Sequence, residues 1–179
     1  LEIKTRTSVA AYHQYNYLLA RENLTDHLET KNKTNKIRQR LLKIRAKKVI
    51  LATGALERPL IFNNNDRPGI MLSSAVKKYS EFYGVACGNK NVFFTNNDSA
   101  YESALSLYNK GITVEAIIDI RDQSESKIVK KVKEAGIKIY WSHSIVDTTG
   151  YKRLNSVSIM KLSNDGTSVT GSKISISCD

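Results

Sequence analysis

The stretch NVFFTNNDSAYESALSLYNKGITVEAIID, residues 91–119, decides the fold of this chain. Apolar runs over 91–94 and 114–119 predict two buried strands. Between them a helix is predicted, with a cap at Asn97 or Asp98 and a stop at Gly111. Its apolar face is formed by Tyr101, Ala104, Leu105 and Tyr108. Strand, helix and strand within about 30 residues predict a parallel βαβ unit.

The same alternation continues downstream and has a helix upstream. A helix from Ser124 to a stop at Gly136 precedes a strand over 137–141, and antiparallel strands are predicted around 157–159 and 174–176. Upstream, apolar spacing predicts a one-faced helix from Leu72 to Gly84, capped by Ser73 or Ser74. This order is typical of a small dinucleotide-binding-type α/β domain.

The first 59 residues have a different pattern. Residues 1–9, 15–20 and 40–51 alternate like strands of a meander, and 23–35 is predicted as a surface loop. The run over 49–54 is β-branched and ends in small residues, as buried parallel strands in nucleotide-binding domains often do. Pro59 and Pro68 bracket a stretch that fits neither a helix nor a central strand. We therefore predict two domains, 1–59 and 60–179.

Composition limits the class of protein. With 179 residues, 41% hydrophobic and 25% charged, the chain can bury a core. No apolar stretch approaches the ~20 residues of a membrane-spanning helix, so no membrane partner is expected. Cys87 and Cys178 lack disulfide-framework or zinc spacing and are interpreted as buried or idle cytoplasmic thiols. The chain starts within an alternating run and without Met, so we expect it to be a piece of a longer polypeptide.

The net charge of +11 is concentrated between residues 31 and 48. Such an excess is also found in nucleic-acid binders. That interval, however, contains no aromatic residue on which a base could stack. We interpret it as a solvated or subunit-facing surface and expect no nucleic-acid partner.

Two places could contact a dinucleotide. The turn over 95–100 has Thr and Asn where the G-x-G-x-x-G/A pattern needs glycine, and its Asp98 would repel a phosphate. We therefore predict a retained fold without phosphate binding, and Asp119 is interpreted as a strand-end cap or a ribose ligand. The second place is Ala52, Thr53 and Gly54, whose small residues permit close backbone approach. Neither a catalytic constellation nor a metal-ligand pattern is found.

Three segments carry a family resemblance: 47–59 with A-T-G and E-R-P, 64–72 with N-D-R-P-G, and 94–101 with T-N-N-D-S-A. Together with 6–9 and 12–17, they closely resemble the alpha subunit of heterotetrameric sarcosine oxidase. The resemblance covers essentially the whole chain.

The resemblance implies an α/β, Rossmann-like, FAD/NAD(P)-binding architecture with two dinucleotide-binding domains: a partial first domain and an inserted βαβ domain with antiparallel strands. It implies oxidative demethylation of sarcosine to glycine by a complex with beta, gamma and delta subunits. That reaction yields hydrogen peroxide and formaldehyde or methylene-tetrahydrofolate. NAD would be held in this subunit, FAD and FMN elsewhere in the complex, and sarcosine and tetrahydrofolate also elsewhere. Ala52, Thr53 and Gly54, with Val9 and Ser8, match the residues that line the dinucleotide of the first domain.

Two alternatives remain open from the sequence. One is an alpha-type subunit of a related amine or proline dehydrogenase, which shares the A-T-G and E-R-P segments. The other is a non-catalytic interaction module with a basic face. In either case no residue of this chain is predicted to be catalytic, and the chain alone is expected to be inactive.

Overall fold

The computed structural model describes residues 2–29 and 37–179. The chain forms two compact units, Leu1–Ala55 and Leu56–Asp179. Part of the predicted loop and of the basic interval, residues 30–36, lies outside the described residues. The two domains predicted from the sequence remain predictions: 1–59 as part of a first dinucleotide-binding domain and 60–179 as an inserted second one.

The first unit is an antiparallel meander of strands β1 (Thr7–His13), β2 (Tyr17–Asn23) and β3 (Gln39–Arg45). A short 3-10 turn, Gln14–Asn16, joins β1 to β2. The central strand contributes Leu18 and Ala20, the buried apolar side chains of this unit. The predicted meander is confirmed.

The prediction of a buried strand over 49–54 is wrong. This segment has no regular secondary structure, and its side chains are mostly exposed, with Ile50 at 91%. A strand of a parallel sheet needs at least one neighbouring strand for its backbone hydrogen bonds. Among the described residues no strand pairs with this segment.

The second unit contains the predicted βαβαβ order. Its elements, in chain order, are α1 (Ser73–Phe82), β4 (Lys90–Thr95), α2 (Ser99–Tyr108), β5 (Thr113–Asp119), α3 (Lys127–Glu134), β6 (Ile139–Trp141), β7 (His143–Thr149), β8 (Ser156–Leu162) and β9 (Val169–Ser177). Strands β4, β5 and β6 form a parallel sheet, and β7, β8 and β9 form an antiparallel one. Strand β7 was not predicted.

The parallel sheet has an apolar layer on each face. Because side chains alternate along a strand, Ile117 packs in the cluster that contains the α2 and α3 residues, while Ile118 packs with Ile145 and Ile159 of the antiparallel sheet. Phe93 and Phe94 of β4 divide between the two clusters in the same way. Burial on both faces explains the nearly continuous apolar run of β5.

Glycines end the helices at the predicted places, but the N-terminus of α1 differs from the prediction. Gly84, Gly111 and Gly136 follow α1, α2 and α3 with positive φ. At α1 the N-cap position is Leu72 rather than Ser73 or Ser74. The carboxylate of Glu57 instead accepts the N–H groups of Ser73 and Ser74 at 3.0 and 2.8 Å.

The predicted apolar face of α1 is also only partly buried. Phe82 is 76% exposed, and Tyr79 and Tyr83 are exposed as well. The helix buries Ser80 and packs Val76 against the apolar cluster on the helix side of the sheet. Helical spacing identifies a face but does not show whether another element covers its whole length.

The N-D-R-P-G segment is fastened to the end of β7. The Arg67 guanidinium donates to Thr148 Oγ1 at 3.3 Å and to the Gly150 carbonyl. The Leu154 N–H donates to the Pro68 carbonyl at 2.9 Å. These bonds fix an otherwise irregular segment against the antiparallel sheet.

We predict that Glu57→Ala lowers the free energy of unfolding by about 0.5–2 kcal/mol, the usual value of a helix cap. Partial burial acts to raise the pKa of Glu57, but hydrogen bonds from Ser74 and Ser73 outweigh it and lower that pKa. Because the pKa of Glu57 is lowered in the folded state, its carboxylate stabilises the fold at pH values above the unfolded-state pKa. This stabilisation is lost as the pH falls through the folded-state pKa. Urea unfolding should therefore show that the loss of unfolding free energy in Glu57→Ala, relative to the unsubstituted protein, is smaller at acid pH than at pH 7.

The control for Glu57 is Glu134→Ala, because the Glu134 side chain, at the end of α3, makes no hydrogen bond or ion pair among the described residues. An equal loss in both variants would contradict the capping role.

We predict that Gly150→Ala destabilises the protein by about 1–3 kcal/mol or more, through backbone strain and a clash. Gly150 has φ +135°, and an added Cβ would overlap the Arg153 carbonyl oxygen. The matched control is Gly166→Ala, at φ +69° with nothing within 4 Å. An equal decrease of the thermal unfolding temperature in both variants would contradict the close approach of Gly150 to the Arg153 carbonyl.

Candidate functional site

The carboxyl ends of the parallel strands form the place where α/β folds usually bind ligands. Thr95, Asp119 and Trp141 lie side by side there, because β4, β5 and β6 pair in that register. Helix α2 begins immediately beyond Thr95, so its N-terminus faces this edge. In a working dinucleotide domain this N-terminus would receive the pyrophosphate.

The turn between β4 and α2 uses its polar groups internally. Thr95 Oγ1 donates to the Asn97 carbonyl at 2.8 Å and accepts the Asn97 N–H at 3.1 Å. Asn97 Oδ1 accepts the N–H and hydroxyl of Ser99 at 3.0 and 2.6 Å. No residue of this turn has a positive φ. The turn is therefore stabilised by side chains where a glycine-rich turn would present bare backbone.

The Asp119 carboxylate is completely buried and fully bonded. Tyr101 donates its hydroxyl to Asp119 Oδ2 at 2.7 Å. Arg121 donates from Nη2 to Oδ2 at 2.7 Å, from Nε to Oδ1 at 3.1 Å and from its backbone N–H to Oδ1 at 2.9 Å. Asp119 therefore has no carboxylate oxygen free to accept a hydrogen bond from a ribose. The bond that it accepts from the Arg121 backbone N–H is the bond expected of a strand-end cap.

The same arginine reaches across to the α2 N-terminus. Arg121 Nη2 lies 2.8 Å from Asp98 Oδ1, so one guanidinium joins a carboxylate at the end of β5 to another at the start of α2. We call Tyr101, Asp119, Arg121 and Asp98 the closing network.

Charge and burial reinforce this arrangement. A hydrogen bond from the Ser126 hydroxyl, together with Arg121, outweighs partial burial and lowers the pKa of Asp98. Burial and the hydrogen bond to Asp119 raise the pKa of the Tyr101 phenol far above its usual value. Tyr101 thus stays a neutral donor at physiological pH, and the ring of Trp141 stacks on it at 6.1 Å.

Chemically, the closing network leaves this edge poorly suited to a phosphate. The positive end of α2 already has the anionic Asp98 beside it, and the Arg121 guanidinium is shared between the Asp98 and Asp119 carboxylates. A pyrophosphate would have to displace the Asp98 carboxylate and break its partly exposed ion pair with Arg121.

The sequence-predicted cofactor residues all lie in the first unit. Ser8 and Val9 are on β1, opposite Arg21 and Ala20 of β2, and Ala52, Thr53 and Gly54 lie in the irregular segment after β3. All five are exposed. No hydrogen bond joins the two groups in the described part of the chain. Gly54 has φ +75°, and nothing lies within 4 Å of the position of a Cβ.

Other candidate groups are few among residues 2–29 and 37–179. No cluster of metal-ligating side chains and no helix able to cross a membrane occurs there. Both cysteines are free thiols, and burial raises the pKa of Cys178 to about 11.

A shallow groove of about 480 Å³ between α1 and α2 is lined by Ser74, Lys77, Lys78, Glu81, Phe82, Ser99, Glu102 and Ser103. Its two lysines and two glutamates give it no net charge.

Sequence reasoning identified Asp119 but missed Arg121 and the hydroxyl of Tyr101. A cation two residues after a strand-terminal acid is the signal that could have indicated the pair. Tyr101 was assigned to the helix core, and its position on the face that meets β5 allows its hydroxyl to reach the carboxylate.

Comparison with curated proteins finds clear relatives. The chain is 40% identical over 162 residues to sarcosine oxidase subunit alpha of Corynebacterium sp. strain P-1, covering 89% of this chain and 16% of that protein. It is 38% identical over 143 residues to the same subunit of Corynebacterium sp. strain U-96 (80% and 15%), and 35% over 144 residues to that of Rhizobium meliloti (77% and 14%). The chain thus spans about one sixth of the length of these relatives. Protein-family models give no match.

Solved structures support the fold. Thioredoxin reductase of T. acidophilum matches with a TM-score of 0.54 at 18% identity, over 79% of this chain and 45% of that one. An FAD-dependent pyridine nucleotide-disulphide oxidoreductase from Desulfovibrio vulgaris matches with a TM-score of 0.53 at 14% identity, over 97% and 41%. The Rossmann-like α/β class predicted from the sequence is confirmed. The sequence matches show that this chain is similar, at 35–40% identity, to a segment of sarcosine oxidase subunit alpha.

Proposed function

We propose that this chain is part of the alpha subunit of a sarcosine oxidase. The complete enzyme would oxidise sarcosine to glycine, reduce oxygen to hydrogen peroxide, and release the methyl carbon as formaldehyde or pass it to tetrahydrofolate. The observation that carries this proposal is 40% identity over 162 residues to such a subunit.

Within that enzyme we assign NAD to the first unit. The proposed contacts are the backbone and small side chains of Ala52, Thr53 and Gly54, with Ser8 and Val9 near the adenine. The open space around Gly54 and its positive φ fit a position where a ligand approaches the backbone. These residues would bind and orient the cofactor, and the chemistry of hydride transfer would belong to NAD itself.

The second unit is proposed to be a scaffold. Its closing network does not fit a dinucleotide, since the anionic Asp98 lies at the N-cap of α2 and Asp119 has no free oxygen. Its three-layer packing instead gives a rigid body on which the E-R-P and N-D-R-P-G segments are fixed.

The binding sites for the flavins and the substrates are proposed to lie outside this chain. FAD, FMN, sarcosine and tetrahydrofolate would bind elsewhere in a complex with beta, gamma and delta subunits. The relatives' designation as a subunit supports an assembly of several chains. A cytoplasmic location is proposed, in keeping with two unpaired thiols.

We predict that the intact multi-subunit enzyme produces hydrogen peroxide when sarcosine is added, and that this chain alone does not. The flavins and the sarcosine site are proposed to lie outside this chain, so the chain alone would lack the groups for the reaction. A peroxidase-coupled assay measures both. Intact enzyme that is inactive with sarcosine would refute the proposed substrate, and peroxide from the chain alone would refute the division of roles.

We predict that Gly54→Val weakens NAD binding roughly ten- to a hundredfold, or about 1–3 kcal/mol, in calorimetry on the full-length subunit. A branched side chain there would strain the backbone and meet the ligand. Gly84→Val is the matched control, because Gly84 also has positive φ and open surroundings. Asn97→Ala should change the affinity much less. Loss of binding in the Asn97 variant with binding retained in the Gly54 variant would place the site in the second unit.

A further inference from the structure

One face of the meander carries cations without acids. Strand register places these residues on the same side: Ala11 and His13 of β1, Tyr17, Leu19 and Arg21 of β2, and Leu41, Lys43 and Arg45 of β3. We call this surface the cationic face. Its charged side chains, Arg21, Lys43 and Arg45, are all exposed and all positive.

These three cations make no ion pair among the described residues, whereas acids elsewhere in this unit are engaged. Glu22 lies on the opposite face, 3.7 Å from Arg40, and Arg38 donates to Asp26 at 2.6 Å. Lys43 and Arg45 are two positions apart on one strand, so their Cα atoms are about 6.8 Å apart. Water and salt screen the repulsion between these exposed side chains, and an anionic surface from outside the described unit would pair with them directly.

Apolar groups lie between the cations. Leu41 is 61% exposed, and Leu19 and Tyr17 are half-buried. Arginine and tyrosine are enriched at protein–protein interfaces, whose central part is also more apolar than the rim.

The surroundings of Tyr17 argue against a nucleic acid. The Arg45 guanidinium lies 5.6 Å from the centre of its ring, and the His13 ring lies 6.0 Å away. A base would need a free aromatic surface for stacking. Exposed leucines also contribute nothing to binding a phosphate backbone.

We propose that the cationic face docks a carboxylate-rich surface of another polypeptide in the same enzyme. This rests on the proposed function, because it takes the chain to be part of a subunit in a multi-subunit oxidase. Carboxylates opposite Lys43 and Arg45 on β3 would complete the ion pairs, and apolar groups beside them would cover Leu41. Ser8, on the other edge strand, lies opposite Arg21 and stays available for the adenine.

The first test is zero-length carbodiimide cross-linking of the intact enzyme, followed by mass spectrometry. Lys43 should be joined to an aspartate or glutamate of a different polypeptide. Lys110, exposed and without an ion pair among the described residues, is the control and should give no such product. Products from Lys43 only to its own chain or to a second copy of it, or none at all, would overturn the proposal.

The second test is charge reversal. Lys43→Glu with Arg45→Glu should raise the dissociation constant between the polypeptides at least about tenfold at low salt, and the effect should shrink near 0.5 M salt. Lys43→Gln with Arg45→Gln should have a smaller effect, and circular dichroism checks that both variants fold. Unchanged assembly in the folded reversal variant, or tight binding of a single-stranded oligonucleotide that this variant abolishes, would refute the protein partner.

Failure of the docking proposal and failure of the proposed function give different experimental results. Sarcosine-dependent peroxide production by an enzyme without the Lys43 cross-link would refute the docking surface alone. A protein that purifies as one polypeptide and does not oxidise sarcosine would refute the proposed function, and the docking surface with it.

Discussion

The second unit depends on how a buried carboxylate is satisfied. Asp119 ends the central strand of the parallel sheet with no exposure to water, and an unmatched charge there would cost several kcal/mol. Tyr101 and Arg121 supply the donors, and this fixes helix α2 against β5. Because Arg121 then also pairs with Asp98, the bond that stabilises the sheet edge also closes the place where a phosphate would bind.

The segments that identify the family have structural tasks in this chain. Glu57 of E-R-P caps α1, Arg67 of N-D-R-P-G holds the end of β7, and Thr95 and Asn97 of T-N-N-D-S-A shape the turn before α2. A segment shared with a redox enzyme therefore need not touch its cofactor. Function is proposed to lie in the first unit and in the partners it meets, while the second unit provides rigidity.

Much of the second unit could be predicted from the sequence, because its apolar periods are strong and glycine ends each helix. Strand β7 could not, since it follows β6 directly through a bend at Ser142, which has a positive φ. The α1 cap was missed because Glu57 lies 16 residues before Ser73. The strand over 49–54 was wrongly predicted because β-branched residues favour a strand only where a neighbour offers hydrogen bonds.

The most direct test of the closing network is an amide chemical-shift titration of the protein with NADPH, read at the backbone of residues 97–100. Because Arg121 is shared by Asp98 and Asp119, a net negative charge remains at the start of α2, and the account predicts no saturable shift at these amides. A saturable shift there, shared by Arg121, would show that the dinucleotide displaces Asp98. That result would contradict the closed site.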